Sequence, residues 1–307
     1  MKNNIKYFLI AFLLFTISCS NYKVINPFGS DNAADSTTTT TDISEDNFIS
    51  GPDATDFDIE YNMRMYKEKF GIYKIIISGD ISKTSTLTYV KTIINKDYYK
   101  AANAEIEVDL TKTTLTEITA DTFKDSTTLK AIYLPSDATS IKVSAFSGCT
   151  ALSTVSLNSK LTTIEANAFD GCTALSTVTL NSELTTIGDN AFNGCTALST
   201  VTLNDKLTTI GANTFSGCTA LTSISLPESL TSLDASSFDG CTELANLEYL
   251  GTETTTITIN TGSSLTSVAK LTNLYLPNVA SDPGDNSWDN FLGITWTQIN
   301  YGSSIPK

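Results

Sequence analysis

The 307-residue chain contains no histidine and a single arginine, Arg64. Without an imidazole neither a Ser-His-Asp nor a Cys-His arrangement can be built, and most zinc sites lose their usual nitrogen ligand. Cations are scarce in general: 19 Lys and Arg stand against 33 Asp and Glu, a net charge of −14. A nucleic-acid partner is therefore excluded, because neutralising phosphates needs clustered Lys and Arg. No GxxxxGKS/T or GxGxxG sequence is present to cradle a phosphate. Carboxylates are plentiful, yet Glu183, Asp189 and Asp205 fall in turn-like, solvated positions. The expectation is a protein with no catalytic residues, no metal and no cofactor.

Long apolar runs are also few. Tyr7 to Ile17 is nearly all apolar and follows Lys2 and Lys6. It is too short to span a bilayer as a permanent helix, and residues 1–18 read as an export signal. Phe15-Thr16-Ile17-Ser18-Cys19 resembles a relaxed bacterial lipobox, with Thr16 where Leu is common. The resemblance implies lipidation at Cys19, hence a membrane partner through an N-terminal lipid anchor; the alternative is an ordinary signal peptide with an incidental cysteine. Removal of residues 1–18 takes away two Lys and no acid, leaving 33 acids against 17 cations, or −16. Ser20 rather than Asp follows the cysteine, which leans away from inner-membrane retention and towards the outer membrane or cell surface.

Residues 19–58 are rich in Ser, Thr, Asp, Asn and Gly, with Thr37 to Thr41 unbroken. Such a segment buries too little apolar surface to offset its ordering entropy, so it reads as a tether. Over 59–114 the pattern changes. Tyr73 to Ser78 reads as a strand, Ser85 to Lys100 as a helix with Leu87, Val90, Ile93 and Ile94 on one face, and Glu105 to Leu110 alternates with period two. Strand, helix and strand would make a small α/β cap.

What the sequence has in abundance is repetition. Cys149, Cys172, Cys195, Cys218 and Cys241 are each 23 residues apart, and Phe123, Phe146, Phe169, Phe192, Phe215 and Phe238 keep the same period. Six clear units begin at Leu115, Ala138, Leu161, Leu184, Leu207 and Leu230, and a degenerate one carries Leu271 to Leu276, so the repeats span 115–277. In Leu198 to Leu203, alternation sends Val201 and Leu203 to one face and Thr200 and Thr202 to the other. No single coil buries its apolar face alone, so stability must come from stacking. The unit Leu184 to Lys206, LTTIGDNAFNGCTALSTVTLNDK, resembles the leucine-rich repeat of the BspA-like, 23-residue, Treponema-type surface lipoproteins. The first unit departs from it with Ser126 in place of Cys, and the sixth with Tyr249 in place of Leu. The resemblance implies a leucine-rich-repeat solenoid with a parallel β-sheet on the concave face, a mostly irregular convex side, the α/β N-terminal cap, and a C-terminal cap over 278–307 holding Trp288, Phe291, Trp296 and Tyr301. An exposed aromatic docking patch is the competing reading of that last segment.

The cysteine ladder reads as buried structural thiols, since parallel side-chain vectors suit disulfide geometry poorly and five cannot all pair. The remaining candidate is the sheet surface. Its outward positions are Ala131, Thr154, Thr177, Thr200, Ser223, Asn246 and Asn273 in one column, and Tyr133, Ser156, Thr179, Thr202, Ser225, Glu248 and Tyr275 in the other. Two readings stand: a binding face for a protein or glycan, or threonine used only as a good strand former on a wet face. Tyr133 and Tyr275 could equally pack under a cap. Members of the BspA-like class are described as adhesins, so the resemblance implies protein or cell binding and no enzyme. The alternatives are a periplasm-facing spacer lipoprotein without external ligand and, more remotely, an ice-binding Thr array.

Overall fold

The computed structural model describes residues 44–306 except 83–84, 255–256, 261–264, 266–267 and 286. The expected export signal, Cys19 and the first part of the expected tether lie outside the described residues.

A 3-10 turn at Glu45–Phe48 leads into strand β1 (Ile49–Ser50), helix α1 (Asp56–Phe70) and strand β2 (Tyr73–Gly79). Helices α2 (Thr86–Ile94) and α3 (Asp97–Ala101) and strand β3 (Ile106–Thr113) follow. Residues 44–58, given to the tether on composition, are thus part of the folded cap. Phe48 sits edge-on to Tyr66 at 5.7 Å and to Phe70 at 6.0 Å. Ile49 and Ser50 pair in parallel with Ile76 and Ile77. Thr55 starts α1 as its N-cap: its side chain accepts from Asp58 N–H while the Asp58 carboxylate accepts from Thr55 N–H. Gly71, at φ 84°, ends it in the left-handed conformation. The single helix expected over Ser85 to Lys100 is two, parted at Asn95 and Lys96. There the Asn95 amide turns back to donate to the Lys91 carbonyl and to Ser126 Oγ, each at 2.9 Å.

The three cap strands are parallel and the sheet runs on, in the order β1-β2-β3, into the repeat strands Leu129–Tyr133 and Thr154–Ser156. Further coils supply Thr177–Thr179, Thr200–Thr202, Ser223–Leu226, Asn246–Tyr249 and Asn273–Leu276, each displaced by one coil from its neighbour. Thr177 faces Thr200, and Asn246 faces Asn273. A second ladder of seven short parallel strands, running from Glu117–Ile118 to Thr258–Asn260, is built mostly from the Thr-Ile pair of each unit. Two or three residues are too few to show a strand period in the sequence, so this ladder was not foreseen.

Between the ladders the core repeats itself. Phe146, Phe169 and Phe192 stack with centroids 5.2 Å apart and ring planes within 3° and 6° of parallel. The first five coils each turn through two left-handed residues, for example Asn190 (φ 55°) and Gly194 (φ 67°), and the sixth through Gly240 alone. Such backbone is cheap for Gly and Asn and costly for most other residues, which accounts for the glycine beside each cysteine. Backbone rails bind the coils. On the turn side Phe192 N–H donates forward to Thr214 O (2.9 Å) and Gly194 N–H to Ser216 O (2.7 Å). On the Thr-Ile side Thr185 N–H donates back to Thr162 O (3.0 Å) and Gly188 N–H to Ile164 O (2.9 Å).

Both departures in the terminal units have structural reasons. Ser126 replaces Cys because its fully buried hydroxyl accepts the Asn95 amide from the cap. Tyr249 replaces Leu because it packs against Phe291 at 4.9 Å and Trp288 at 6.0 Å. Trp288, Phe291 and Trp296 are buried, and Trp296 Nε1 donates to Phe291 O at 3.1 Å. The C-terminal aromatic cluster closes the core, and it does more: Gln298–Tyr301 adds one further parallel strand beside Asn273–Leu276.

Candidate binding face

Along each repeat strand the middle apolar residue points to the core, so the residues on either side form two outward columns. At the centre these are Thr154 and Ser156, Thr177 and Thr179, and Thr200 and Thr202, all six exposed. Val178 and Val201 beneath them are buried, while Val155 is only half-buried. A void of about 10 Å³ lies under this part of the sheet, lined by Val155, Leu157, Phe169, Leu175, Val178 and Phe192. That is at the lower limit for one water molecule.

Among the described residues these six hydroxyls have no side-chain hydrogen bond within the chain. The threonines that immediately precede the short strands differ. Thr162, Thr185, Thr208 and Thr231 each donate Oγ1 to the carbonyl one coil back, at 3.1 to 3.3 Å. Threonine therefore has two uses here: just before the short strands its hydroxyl holds coils together, and on the long strands it is left for solvent or a ligand.

The two ends of the face are structurally engaged. At the cap end Glu107 faces Ala131 and Asp109 faces Tyr133, and Lys74 faces Glu107. Ala131 is buried and Tyr133 half-buried. Tyr133 donates to Glu107 Oε2 at 3.3 Å, and the Lys74 ammonium lies 5.4 Å from its ring centroid. Lys74 also bridges Asp109 (3.4 Å) and Glu45 (3.3 Å). Burial works against its charge, but Asp109 and Glu45 outweigh it and hold the ammonium above the usual lysine range. The Tyr133 phenol is pushed up, first by burial and then by Glu107. Lys74, Glu107 and Asp109 belong to the face although the repeat did not point to them. The period-two alternation of Glu105 to Leu110 was the available signal for the two acids.

At the far end Ser223, Ser225, Asn246, Asn273 and Tyr275 are half-buried and Glu248 is buried. Glu248 accepts from Ser225 Oγ at 2.5 Å and from Ile305 N–H at 3.3 Å, so it fastens the C-terminal tail to the strand face. Asn273 Nδ2 donates to Asn246 Oδ1 at 2.8 Å. The uncovered surface is thus the central hydroxyl lattice, flanked by Tyr133 and Tyr275, with Glu248 and the two asparagines engaged within the chain.

All five ladder cysteines are free and buried. Each Sγ donates to the Phe carbonyl of the preceding coil, from 3.0 Å at Cys149 to 3.3 Å at Cys195. Burial pushes the thiols of Cys149, Cys195 and Cys241 up to about 12. Such thiols carry neither nucleophilic nor metal-binding chemistry at neutral pH. Among the described residues no group of three Cys, Asp or Glu is placed to hold a metal ion.

A 23-residue coil, parallel strands in two ladders, and an asparagine- and glycine-turned Phe and Cys core define a leucine-rich-repeat solenoid. The chain belongs to the BspA-type leucine-rich-repeat family: the family model described as "BspA type Leucine rich repeat region" matches residues 91–218 and 185–305, with six copies. Among solved structures the chain is similar to a Leucine Rich Repeat protein of T. pallidum, at 29% identity over 48% of this chain and 73% of that one, with a TM-score of 0.45. It is similar to a leucine-rich repeat protein from Bacteroides ovatus at 24% identity, over 64% of this chain and 60% of that one, with a TM-score of 0.41. A leucine rich cell surface protein from Faecalibacterium prausnitzii matches at 20% identity, over 75% and 83% of the two chains, with a TM-score of 0.37. No curated protein matches the chain.

Proposed function

We propose that this chain is a lipid-anchored, cell-surface binding protein, held through Cys19, whose strand face takes a protein or glycan ligand. The observation that carries the reading is the contrast between two sets of threonines. Six hydroxyls on Thr154, Ser156, Thr177, Thr179, Thr200 and Thr202 are exposed without a side-chain hydrogen bond among the described residues, while those just before the short strands, such as Thr185 and Thr208, hold coils together. A row of donor-acceptor groups at fixed spacing on a rigid sheet suits ligands that present repeated hydrogen-bonding groups, such as sugar hydroxyls or an extended peptide. The half-buried rings of Tyr133 and Tyr275 flank it and add the aromatic contact that binding surfaces favour. The export signal and lipobox-like Cys19 support a surface address, and the lack of histidine supports binding over catalysis.

Protease treatment of intact cells, blotted beside a periplasmic control, tests the location: loss of this protein with the control intact is the expected outcome. Arrays of matrix proteins and glycans then test the face. Saturable binding weakened by Thr177→Val with Thr200→Val supports it, and no binding across the panel turns the reading to a spacer.

A further inference from the structure

Large apolar side chains that reach solvent are distributed unevenly. Phe57 (73% exposed), Tyr98 (62%), Tyr61, Phe70, Ile72 and Tyr89 all lie in the N-terminal cap, whereas in the repeats only Val143 is comparably bare among the described residues. Phe57, Glu60, Tyr61 and Arg64 occupy one stripe of α1, by their spacing of three and four. The rings of Phe57 and Tyr61 stack at 6.4 Å. Glu60 holds α3 and the stretch before it against this stripe, accepting from Lys96 at 2.5 Å and Tyr99 at 2.9 Å, and Arg64 Nε donates to Tyr99 at 3.2 Å. Tyr98 packs on Tyr99 at 5.2 Å. Phe57 and Tyr61 on α1 and Tyr98 on α3 are thus exposed rings on two elements that Glu60 ties together, with Arg64 and Lys96 both paired to its carboxylate.

Charge separates the cap as a whole from the repeats. Residues 44–104 hold 8 Lys and Arg against 9 Asp and Glu, or −1, whereas 105–307 hold 8 against 21, or −13. An anionic bilayer repels the repeats and tolerates the cap. The chain enters the cap at Glu45, which accepts from Tyr66 on the buried stripe of α1 at 2.5 Å, and only 24 residues, 20–43, separate that entry from Cys19.

We propose that the aromatic face of α1 and α3, formed by Phe57, Tyr61 and Tyr98, seats on the lipid surface to which the chain is anchored. Phe and Tyr side chains with interspersed cations suit the headgroup boundary, where ring bodies are buried and hydroxyls stay wet. An anchor close in sequence raises the local concentration, so a weak contact suffices. Seated this way, the acidic coils stand off from the membrane and keep the strand face clear. The proposal rests on the anchored reading, but the docking is measured without the anchor.

Residues 44–307 form one compact unit, so a chain starting at residue 20 retains the whole fold and lacks the leader and Cys19. It is sedimented with vesicles of phosphatidylethanolamine and phosphatidylglycerol. The expected result is binding that weakens about tenfold or more in F57S/Y61S/Y98S, as the loss of buried aromatic area requires, and is unchanged in Val143→Ser. Phe57→Trp supplies a second reading: its emission shifts to the blue on adding vesicles, against the constant signal of the buried Trp288 and Trp296. No sedimentation, or no shift, overturns the proposal. Concentration-dependent dimerisation without lipid, abolished by the triple substitution, also overturns it and assigns the face to a second copy. Acylation of Cys19, read by the mass of the N-terminal peptide from membranes, fails or succeeds independently.

Discussion

Cys195 Sγ donates a hydrogen bond to the backbone carbonyl of Phe169, 3.3 Å away in the preceding coil. The same bond recurs from Cys172 to Phe146 and from Cys218 to Phe192. It gives the cysteine column a physical reason: a small apolar residue that also satisfies a buried carbonyl. Thiol titration of the native protein is expected to show almost no reaction with Ellman's reagent, and full reaction of the five ladder cysteines in denaturant. Prompt native labelling of several thiols would falsify the buried, bonded ladder.

These thiols also set an alkaline limit. Burial raises Cys149, Cys195 and Cys241 from the ordinary 9.0 to about 12. Below pH 9 the thiols are protonated in both folded and unfolded chains, so their contribution is fully present. Between pH 9 and 12 the unfolded chain loses protons that the folded one keeps, and stability falls by roughly 1.4 kcal/mol per pH unit for each such thiol. Melting temperature followed from pH 8 to 11 should therefore drop steeply, and replacing Cys149 and Cys195 by Ala should flatten the slope. An unchanged slope would show that the ladder does not govern it.

Phe192 lies between Phe169 at 5.2 Å and Phe215 at 5.6 Å, nearly parallel to both. Phe192→Ala opens a cavity at mid-stack and should cost about 3–5 kcal/mol. Because coils hold one another only through neighbours, the loss should also broaden the urea transition, seen by circular dichroism. A small loss with a sharp transition would mean that the coils collapse to fill the gap.

The two sets of threonines should separate stability from binding. Thr185→Val removes a hydroxyl that donates to Thr162 O at 3.3 Å and should lower stability by about 1 kcal/mol. Thr179→Val removes an exposed hydroxyl and should leave the urea midpoint within about 0.5 kcal/mol, as surface changes do. Equal destabilisation by the two would erase the distinction.

The repeat was fully legible because its signals are periodic. Phe, Cys, Gly and the strand alternation recur often enough that chance cannot imitate them. Helix α1 was not legible, since Ile59, Met63 and Tyr66 carry its buried stripe among charged residues and its amphipathicity emerges only against β2. Nor was the start of the cap: Phe48 and Ile49 are isolated apolar residues in a polar stretch, and only tertiary partners give them meaning. On the candidate face, alternation correctly separated outward from inward residues at Thr177 to Thr202. It could not show that Glu248 is taken up by Ser225 and Ile305, because the tail that covers it returns from 57 residues away.

The turn-side rail hands its N–H groups towards the C-terminal coil, and the Thr-Ile rail hands them back towards the cap. Opposed rows of peptide dipoles offset one another, so adding coils builds up little field along the stack. A coil can therefore be inserted or lost as a whole 23-residue block at small electrostatic expense, provided both ends keep their closures. Recombination between near-identical coding units, with the cap and the aromatic terminus left untouched, becomes a direct route by which the reach of such a chain is lengthened or shortened in evolution.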